Sequence, residues 1–344
     1  MSRPVVAIRT DYGATTGYGH LRRCLTLAQS LRSLGADACF FLSADSGTSA
    51  PPGGMHGFAA VEVDASDSVD LGSTIEGIRG SGARALVVDS YRVRPEALSR
   101  PEVPRVALVD HVPDSPLPVD ILVNGSIDAA DAAVPALPST RVLLGPTYML
   151  LRAEFSRQSA RDIPPEIRRV LVTTGGSDVS NLSVTFVQCV RETLSDAAVD
   201  VIVGPYFEAD TVAELERASN ADHNIVLHRN PPDIRAIMLA CDVALTGGGQ
   251  TTYELAATGM PAIAVSVADN QAANLHGLVA RGALLWAGAV GDPGLPARCR
   301  AALRALAQSC GARRDMSLAA STVVDGRGAD RVAAEILKLC REDG

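Results

Sequence analysis

Lysine is almost missing from this chain of 344 residues: Lys338 is the single one, and the other basic side chains are arginine. We read that as a composition effect and not as a functional signal. Basic charge is in deficit overall. A formal net charge of −8 and a pI near 5.3 exclude a general nucleic-acid binder and a protein held electrostatically on anionic membranes. No run reaches the ~18 consecutive apolar residues of a membrane span. The start, MSRPVVAIRTDYG, has no long apolar core of a secretory signal. The cysteines at 24, 39, 189, 241, 299, 310 and 340 form no C-x-x-C pair, and Cys24 and Cys241 fall within apolar patterns. An odd, dispersed set fits a reducing compartment better than a disulfide scaffold. His223 and His228 flank a strand with a spacing that suits no zinc site. The expectation is a cytoplasmic protein with no metal, no cofactor, no nucleic-acid partner and no membrane insertion. Composition leaves the oligomeric state open.

What is present is apolar material: hydrophobic residues make up 47% and charged residues 20% of the chain. A length of this order suggests two cores, at ~150 residues each. The most informative stretch is Val5 to Leu31. A β-branched run, Val5 to Ile8, reads as a buried strand. A turn with Gly13, Gly17, Gly19 and His20 follows. A helix then places Leu21, Cys24, Leu25, Ala28 and Leu31 on one face. Strand, glycine loop and helix start together present backbone N–H groups to an anion. His20 stands at the mouth of that cradle, where an imidazole can act as a general base. Arg22 occupies the third glycine position of a G-x-G-x-x-G pattern, so the dinucleotide reading is weak.

Strands alternate with helices through both halves. Those expected in the first half are Val5–Ile8, Ala38–Leu42, Ala85–Val88, Val106–Val109, Ile121–Val123 and Val142–Leu144, with helices over His20–Leu34, Ser73–Ser81 and Pro95–Leu98. Residues 45–55 read as a loop by their proline, glycine and serine content. The pattern restarts at Arg169–Val172 and continues with a helix over Leu182–Leu194 and strands Val199–Val203, Ile225–Leu227, Val243–Leu245 and Ala262–Val265. Two successive β/α runs predict an α/β protein of two Rossmann-like parallel-sheet domains. Their expected extents are 1–156 and 169–315, joined by a polar, proline-bearing linker at 157–168. A C-terminal helical segment, 316–344, is expected to cross back onto the first domain. Ligands of such sheets bind beyond the carboxyl ends of the strands. If the domains face each other, the glycine loops after Ile8, Val172 and Leu245 converge on one cleft.

The second constellation is ALTGGGQTTYEL, 244–255. Its glycines let a backbone approach a ligand closely, and the following helix start favours a diphosphate. Gly248, Gly249, Gln250, Thr251 and Thr252 are the candidate phosphate contacts, and Glu254 can accept from sugar hydroxyls. A tight βα turn with Thr252 as its cap is the structural alternative. The similar loop Thr173–Asp178 adds Gly176, Ser177 and Asp178. Asp89 and Tyr91 end a strand at the ligand edge, where Asp89 either contacts a sugar or caps the next loop. Tyr206, after Gly204-Pro205, is either a base-stacking platform or an exposed loop aromatic.

GYGHLRRC, VVDSY at 87–91, YMLLRAEF at 148–155, GGSDVSNLS at 175–183, TGGGQTTYE at 246–254, ADNQAANL at 268–275 and DGRGADRV at 325–332 occur in that order. The set resembles the nucleotide-sugar hydrolases of pseudaminic acid biosynthesis and the related spore-coat polysaccharide proteins, from Val5 to about Val332. The resemblance implies a GT-B architecture. It implies hydrolysis of a UDP-2,4-diacetamido-2,4,6-trideoxy-β-L-altropyranose to UDP and free sugar. In that chemistry water attacks the anomeric carbon with C–O cleavage and inversion, without a metal. It makes His20 the base, puts the diphosphate on Gly248 to Thr252 and gives Glu254 the ribose. Arg152, Asp178, Asn181 and Asn274 would line or support the sugar side, with Gly17, Tyr18, Gly19, Tyr148 and Gln271 as further contacts. Two positions depart from the family pattern. Asp110-His111 stands where an acidic pair is common, and His111 is either a second titratable group in the cleft or, as we favour, a strand-end histidine satisfied by Asp110. Gln250 stands where serine is commoner. The alternatives are a GT-B glycosyltransferase, a relative recruited to another nucleotide-linked substrate in a natural-product pathway, and a non-enzymatic nucleotide-sugar binder.

Overall fold

The computed structural model describes residues 3–13, 16, 18–45, 54–64, 67–156, 161–178 and 180–342. The chain divides into two compact units, Met1–Ala153 with Gly326–Gly344, and Glu154–Asp325.

The first unit is built on β1 (Val5–Tyr12), α1 (Gly19–Ser33), β2 (Asp37–Ala44), β3 (Ala59–Glu62), α2 (Asp67–Asp70), α3 (Gly72–Ser81), β4 (Ala85–Asp89), β5 (Arg105–Leu108), β6 (Ile121–Asn124) and β7 (Arg141–Leu144). Short 3-10 turns, among them Pro95–Ser99 and Pro146–Tyr148, fill the connections. The strands form one parallel sheet in the order β3-β2-β1-β4-β5-β6-β7. Alternation along β1 sends Val6, Ile8 and Tyr12 into the core under α1, and Ala7 into a second core on the other face. Burial on both faces is why the first half of β1, Val5–Ile8, reads as a continuous apolar run. β3 is the edge strand, and all four of its residues, AAVE, are exposed. That exposure leaves it without a hydrophobic signature.

The second unit carries β8 (Arg169–Thr173), α4 (Leu182–Thr193), β9 (Ala198–Val203), α5 (Ala209–Ala221), β10 (Ile225–Arg229), α6 (Ile234–Ala240), β11 (Val243–Gly247), α7 (Thr251–Ala257), β12 (Ala262–Ser266), α8 (Gln271–Ala280), β13 (Leu285–Ala289), α9 (Leu295–Gln308) and α10 (Cys310–Val323). Its parallel sheet runs β10-β9-β8-β11-β12-β13. α7 stops at Gly259, whose φ of +62° suits glycine. Gly259 N–H donates to Ala256 O at 2.9 Å and Met260 N–H to Leu255 O at 2.9 Å, the paired bonds of a Schellman stop. Of the expected linker, 157–160 lie outside the described residues. The rest is fastened to this unit: the buried Arg313 guanidinium donates to Pro165 O at 2.8 Å and also to Pro164 O at 2.5 Å. The unit runs past residue 315 through all of α10, and the return to the first unit comes at Gly326.

α11 (Gly328–Glu342) completes the first unit. Val332, Ala333, Ile336, Leu337 and Cys340 lie on one face and join the core that α1 covers. Its entry explains part of the DGRGADRV run. A Cβ on Gly328 would sit 2.2 Å from Met149 O and 2.6 Å from Met149 N, and one on Gly125 would sit 2.6 Å from Met149 Cα. The backbone at Met149 is therefore held between two glycines, and neither contact can relax by a rotamer change. Overpacking of this kind costs about 1–3 kcal/mol. Gly328→Ala is expected to lower the melting temperature by several degrees, at roughly 2–4 °C per kcal/mol for a domain of this size. Gly80→Ala is the control, because nothing lies within 4 Å of a Cβ there. Thermal unfolding followed by circular dichroism separates the two, and equal melting temperatures would refute the packing argument.

Candidate functional site

In each sheet the strand order reverses direction between two neighbours, β1 and β4 in the first and β8 and β11 in the second. Diverging connections leave a crevice at the carboxyl ends of such a pair. The motif residues fall there in both units: His20 after β1, Asp89 at the end of β4, Thr174–Asp178 after β8 and Gly248–Thr252 after β11.

In the first unit, His20 lies in the first turn of α1 and is only 5% exposed. Its Nδ1 is 2.5 Å from Oδ1 of the fully buried Asp89. Arg23, one turn further along α1, straddles the same carboxylate with Nε on Oδ2 at 2.5 Å and Nη2 on Oδ1 at 2.5 Å. Arg23 Nη2 also comes within 2.9 Å of His20 Nδ1. An acceptor Nδ1 would set two lone pairs against each other at the Asp89 contact. The consistent assignment has Nδ1–H donating to Asp89, so that Nε2 carries the lone pair of the neutral ring. Asp89 thus orients the imidazole and fixes its tautomer, the arrangement that prepares a general base. Burial alone would raise the Asp89 pKa, but the charge and hydrogen bonds of Arg23, with His20, outweigh it and hold the carboxyl below its ordinary value.

Around the pair, Arg23 Nη1 reaches Asp110 Oδ2 at 3.2 Å, and the Tyr91 hydroxyl donates to the same oxygen. The Tyr91 ring stands edge-on to His20, with centroids 4.5 Å apart. Burial, and then the Asp110 carboxylate, push the Tyr91 phenol upward, so it stays protonated. His111 is exposed and lies 3.4 Å from Asp110 Oδ1, beside Tyr91. Gly17 lies outside the described residues. Tyr18 precedes α1 and packs on the core with Tyr148, and nothing lies within 4 Å of a Cβ on Gly19. Arg152 is half-buried beyond the turn that holds Tyr148.

Asp110 is also held low, because Arg23, Tyr91 and His111 outweigh its burial. Unfolded carboxyls take up protons near pH 4, while the folded Asp89 and Asp110 do so at lower pH. Between those values the unfolded chain binds more protons, so stability rises with pH through that window. The contribution is complete above the unfolded value and is lost as pH falls through the folded one. Melting temperatures measured from pH 3 to 6 are expected to fall less steeply with acid in Asp89→Asn than in the wild type. Parallel curves would contradict it.

In the second unit the glycines have separate reasons. A Cβ on Gly248 would sit 2.8 Å from both Gln271 Oε1 and Leu275 Cδ1, so these two side chains of α8 would have to shift for any other residue. A Cβ on Gly249 would meet nothing closer than Gln271 Nε2 at 4.0 Å, and Gln250 beyond it is exposed. Thr252 is buried and its hydroxyl donates to Gly249 O at 2.9 Å, which braces the turn. Thr251 lies beside the Gly175 backbone: a Cβ on Gly175 would be 3.8 Å from its Oγ1. Glu254 is half-buried in the first turn of α7. Gln271 accepts from Val267 N–H at 2.9 Å. The Tyr253 hydroxyl donates to Asn274 Oδ1, so the group Asn274 can offer is its amide NH2. Asp178 accepts from Leu182 N–H at 2.9 Å and Ser183 N–H at 2.8 Å, both oxygens capping α4. Asn181, with φ of +50°, accepts from Thr211 on α5, and Ser177 is exposed.

Several residues at the first edge escaped the sequence reading. Asp11 accepts from the buried Arg9 at 2.8 Å and from Ser90. Asp45 accepts from Thr16 N–H at 2.7 Å, from the Thr16 hydroxyl at 2.9 Å and from Arg92. Arg23 alone had a usable signal, since a position three beyond His20 shares its helical face. Elsewhere, His228 lies 2.6 Å from Asp200 in the second sheet, and His276 stacks edge-on against Trp286. Among the described residues no group of His, Cys, Asp or Glu could hold a metal ion, and no helix is long and apolar enough to cross a membrane.

No family model matches the chain. It is 24% identical over 276 residues to the pseudaminic acid cytidylyltransferase and UDP-2,4-diacetamido-2,4,6-trideoxy-beta-L-altropyranose hydrolase of Helicobacter pylori, covering 78% of this chain and 46% of that one. It is 23% identical over 229 residues to the spore coat polysaccharide biosynthesis protein SpsG of Bacillus subtilis, covering 65% and 66%. The chain thus spans about half to two-thirds of the length of the curated relatives it matches. Among solved structures, MurG of Acinetobacter baumannii superposes with a TM-score of 0.65 at 14% identity over 97% of this chain and 99% of that one. MnaA of S. aureus with UDP gives 0.67 at 12% over 98% and 97%. The glycosyltransferase VinC with dTDP gives 0.61 at 16% over 99% and 100%. The fold is GT-B, two Rossmann-like parallel-sheet units, and in sequence the chain is similar to SpsG and to the Helicobacter pylori enzyme at 23% and 24% identity.

Proposed function

We propose that the chain is a GT-B enzyme acting on a nucleotide-activated sugar, and that it hydrolyses a UDP-2,4-diacetamido-2,4,6-trideoxy-β-L-altropyranose type of substrate. The observation that carries the reading is the buried His20–Asp89 pair at the switch point of the first sheet. The sequence likeness to a hydrolase of that substrate and the nucleotide complexes among the structural neighbours add support. His20 Nε2 takes a proton from water as the oxygen attacks the anomeric carbon. Asp89, kept ionised by Arg23, stabilises the imidazolium as it forms. The C–O bond to the diphosphate breaks with inversion, and UDP leaves. Its charge is met by backbone N–H groups of the Gly248–Thr251 turn, where donors fixed in advance cost little reorganisation. Glu254 takes the ribose hydroxyls, and Arg152, Gln271 and Asn274 serve the sugar.

The test is UDP release from that sugar nucleotide and its stereoisomers, with and without EDTA. Release in water alone, unchanged by EDTA within about twofold, supports metal-independent hydrolysis. A second reading, transfer to an acceptor, is favoured by the glycosyltransferases among the structural neighbours. UDP release only when an acceptor alcohol is added would sink the hydrolase reading in its favour.

A further inference from the structure

The loop after β9 is shaped to display one aromatic ring. Gly204, Pro205, Tyr206 and Phe207 form a turn closed by Phe207 N–H on Gly204 O at 3.4 Å. Proline at the second position sets φ in advance. Phe207 packs into the core of the second unit, while Tyr206 keeps 38% of its surface exposed. The loop is also fastened sideways. Tyr206 N–H donates to Gly176 O at 3.0 Å. A Cβ on Gly204 would lie 2.5 Å from both Gly175 O and Gly176 O, so only glycine lets the two loops meet. The Tyr206 ring then lies against the bare Gly176, where a Cβ would be 3.6 Å from its Cδ2. On the other side of the same strip, Gly175 faces the Thr251 hydroxyl at the start of α7. A displayed aromatic, two side-chain-free residues and the glycine turn after β11 thus follow one another along the carboxyl edge of one sheet.

We infer that Tyr206 is the stacking platform for the nucleobase of a nucleoside diphosphate whose phosphates lie at the Gly248–Thr251 turn, an assignment that rests on the nucleotide-sugar reading above. The backbone that carries the ring is fastened to Gly176 and anchored by Phe207 in the core, so little backbone freedom is lost when a base lies on it. Stacking is tolerant of base identity because every base has a π-face. The platform therefore sets affinity for a nucleoside over a bare diphosphate and not the choice among bases.

UDP and inorganic pyrophosphate are titrated calorimetrically into the wild type, Tyr206→Ala and Tyr206→Phe. Loss of a stacked base raises the dissociation constant about tenfold or more. That rise is expected for UDP in Tyr206→Ala, with Tyr206→Phe within about twofold of the wild type and pyrophosphate unaffected by either change. Tyr206→Trp adds a spectroscopic readout: UDP, and not pyrophosphate, quenches its emission beyond the change seen for the lone native Trp286. UDP affinity in Tyr206→Ala equal to the wild type overturns the platform while leaving the nucleotide site standing. A loss in Tyr206→Phe as large as in Tyr206→Ala assigns the effect to the hydroxyl and also overturns it. Failure of the wild type to bind UDP removes the nucleotide reading and this inference together.

Discussion

His20→Ala is expected to remain folded, to bind UDP as the wild type does, and to release UDP from the sugar nucleotide about 10²–10⁴-fold more slowly, the usual contribution of a positioned general base. The fold tolerates the change because the strongest interaction of Asp89 is with Arg23, which stays in place. Nucleotide affinity is expected to survive because the proposed phosphate contacts lie on the loop after β11. The loss should appear in kcat, with KM little changed, since water activation matters only in the transition state. Steady-state UDP release and UDP calorimetry on one preparation check both parts. Unchanged turnover would remove His20 from the chemistry. Lost UDP binding would make it a binding residue. If neither protein turns over any sugar nucleotide yet both bind UDP, the chain is a binder and not an enzyme.

Much of the fold could be read in advance because a parallel sheet covered on both faces needs apolar strands, and β1, β4, β8 and β11 supply them. β3 could not, since an exposed edge carries no such constraint. The glycine loops were legible as loops, but not their separate purposes. Gly248 faces the side-chain ends of Gln271 and Leu275 from α8, and Gly204 is fixed by carbonyls of another loop, contacts that no local pattern encodes. Asp178 illustrates the same limit. In sequence it is a carboxylate in a glycine-rich loop, whereas in space both its oxygens cap α4. His20 stood out as a candidate from its setting within Gly17-Tyr18-Gly19. Its partner Asp89 was visible only as an ambiguous strand-end acid, because the pairing spans 69 residues and depends on β1 and β4 lying side by side.

Asp89 is where structure and chemistry are most tightly joined, and its variants should separate the two. In Asp89→Ala the Arg23 guanidinium, 17% exposed, loses a two-point partner. Removing one member of a buried ion pair costs up to about 3–5 kcal/mol when the remaining charge has no other partner, and here Arg23 keeps only the longer ionic contact to the more exposed Asp110 at 3.2 Å. Asp89→Ala is therefore expected to lower the melting temperature sharply. In the double variant Asp89→Leu with Arg23→Met neither charge is present, and most of the lost stability should return. Turnover should not return with it, since His20 has lost the acceptor that fixes its Nδ1–H. Asp89→Asn makes the same point without leaving a cavity. An amide can offer its NH2 to Nδ1, which favours the other tautomer and turns Nε2 into a donor. The equivalent change in a Ser-His-Asp triad costs about 10⁴ in rate, and a loss approaching that is expected here. Unfolding curves and UDP release measured side by side on the four proteins decide it. If the double variant regains activity along with stability, Asp89 serves the fold alone and His20 needs no orienting partner.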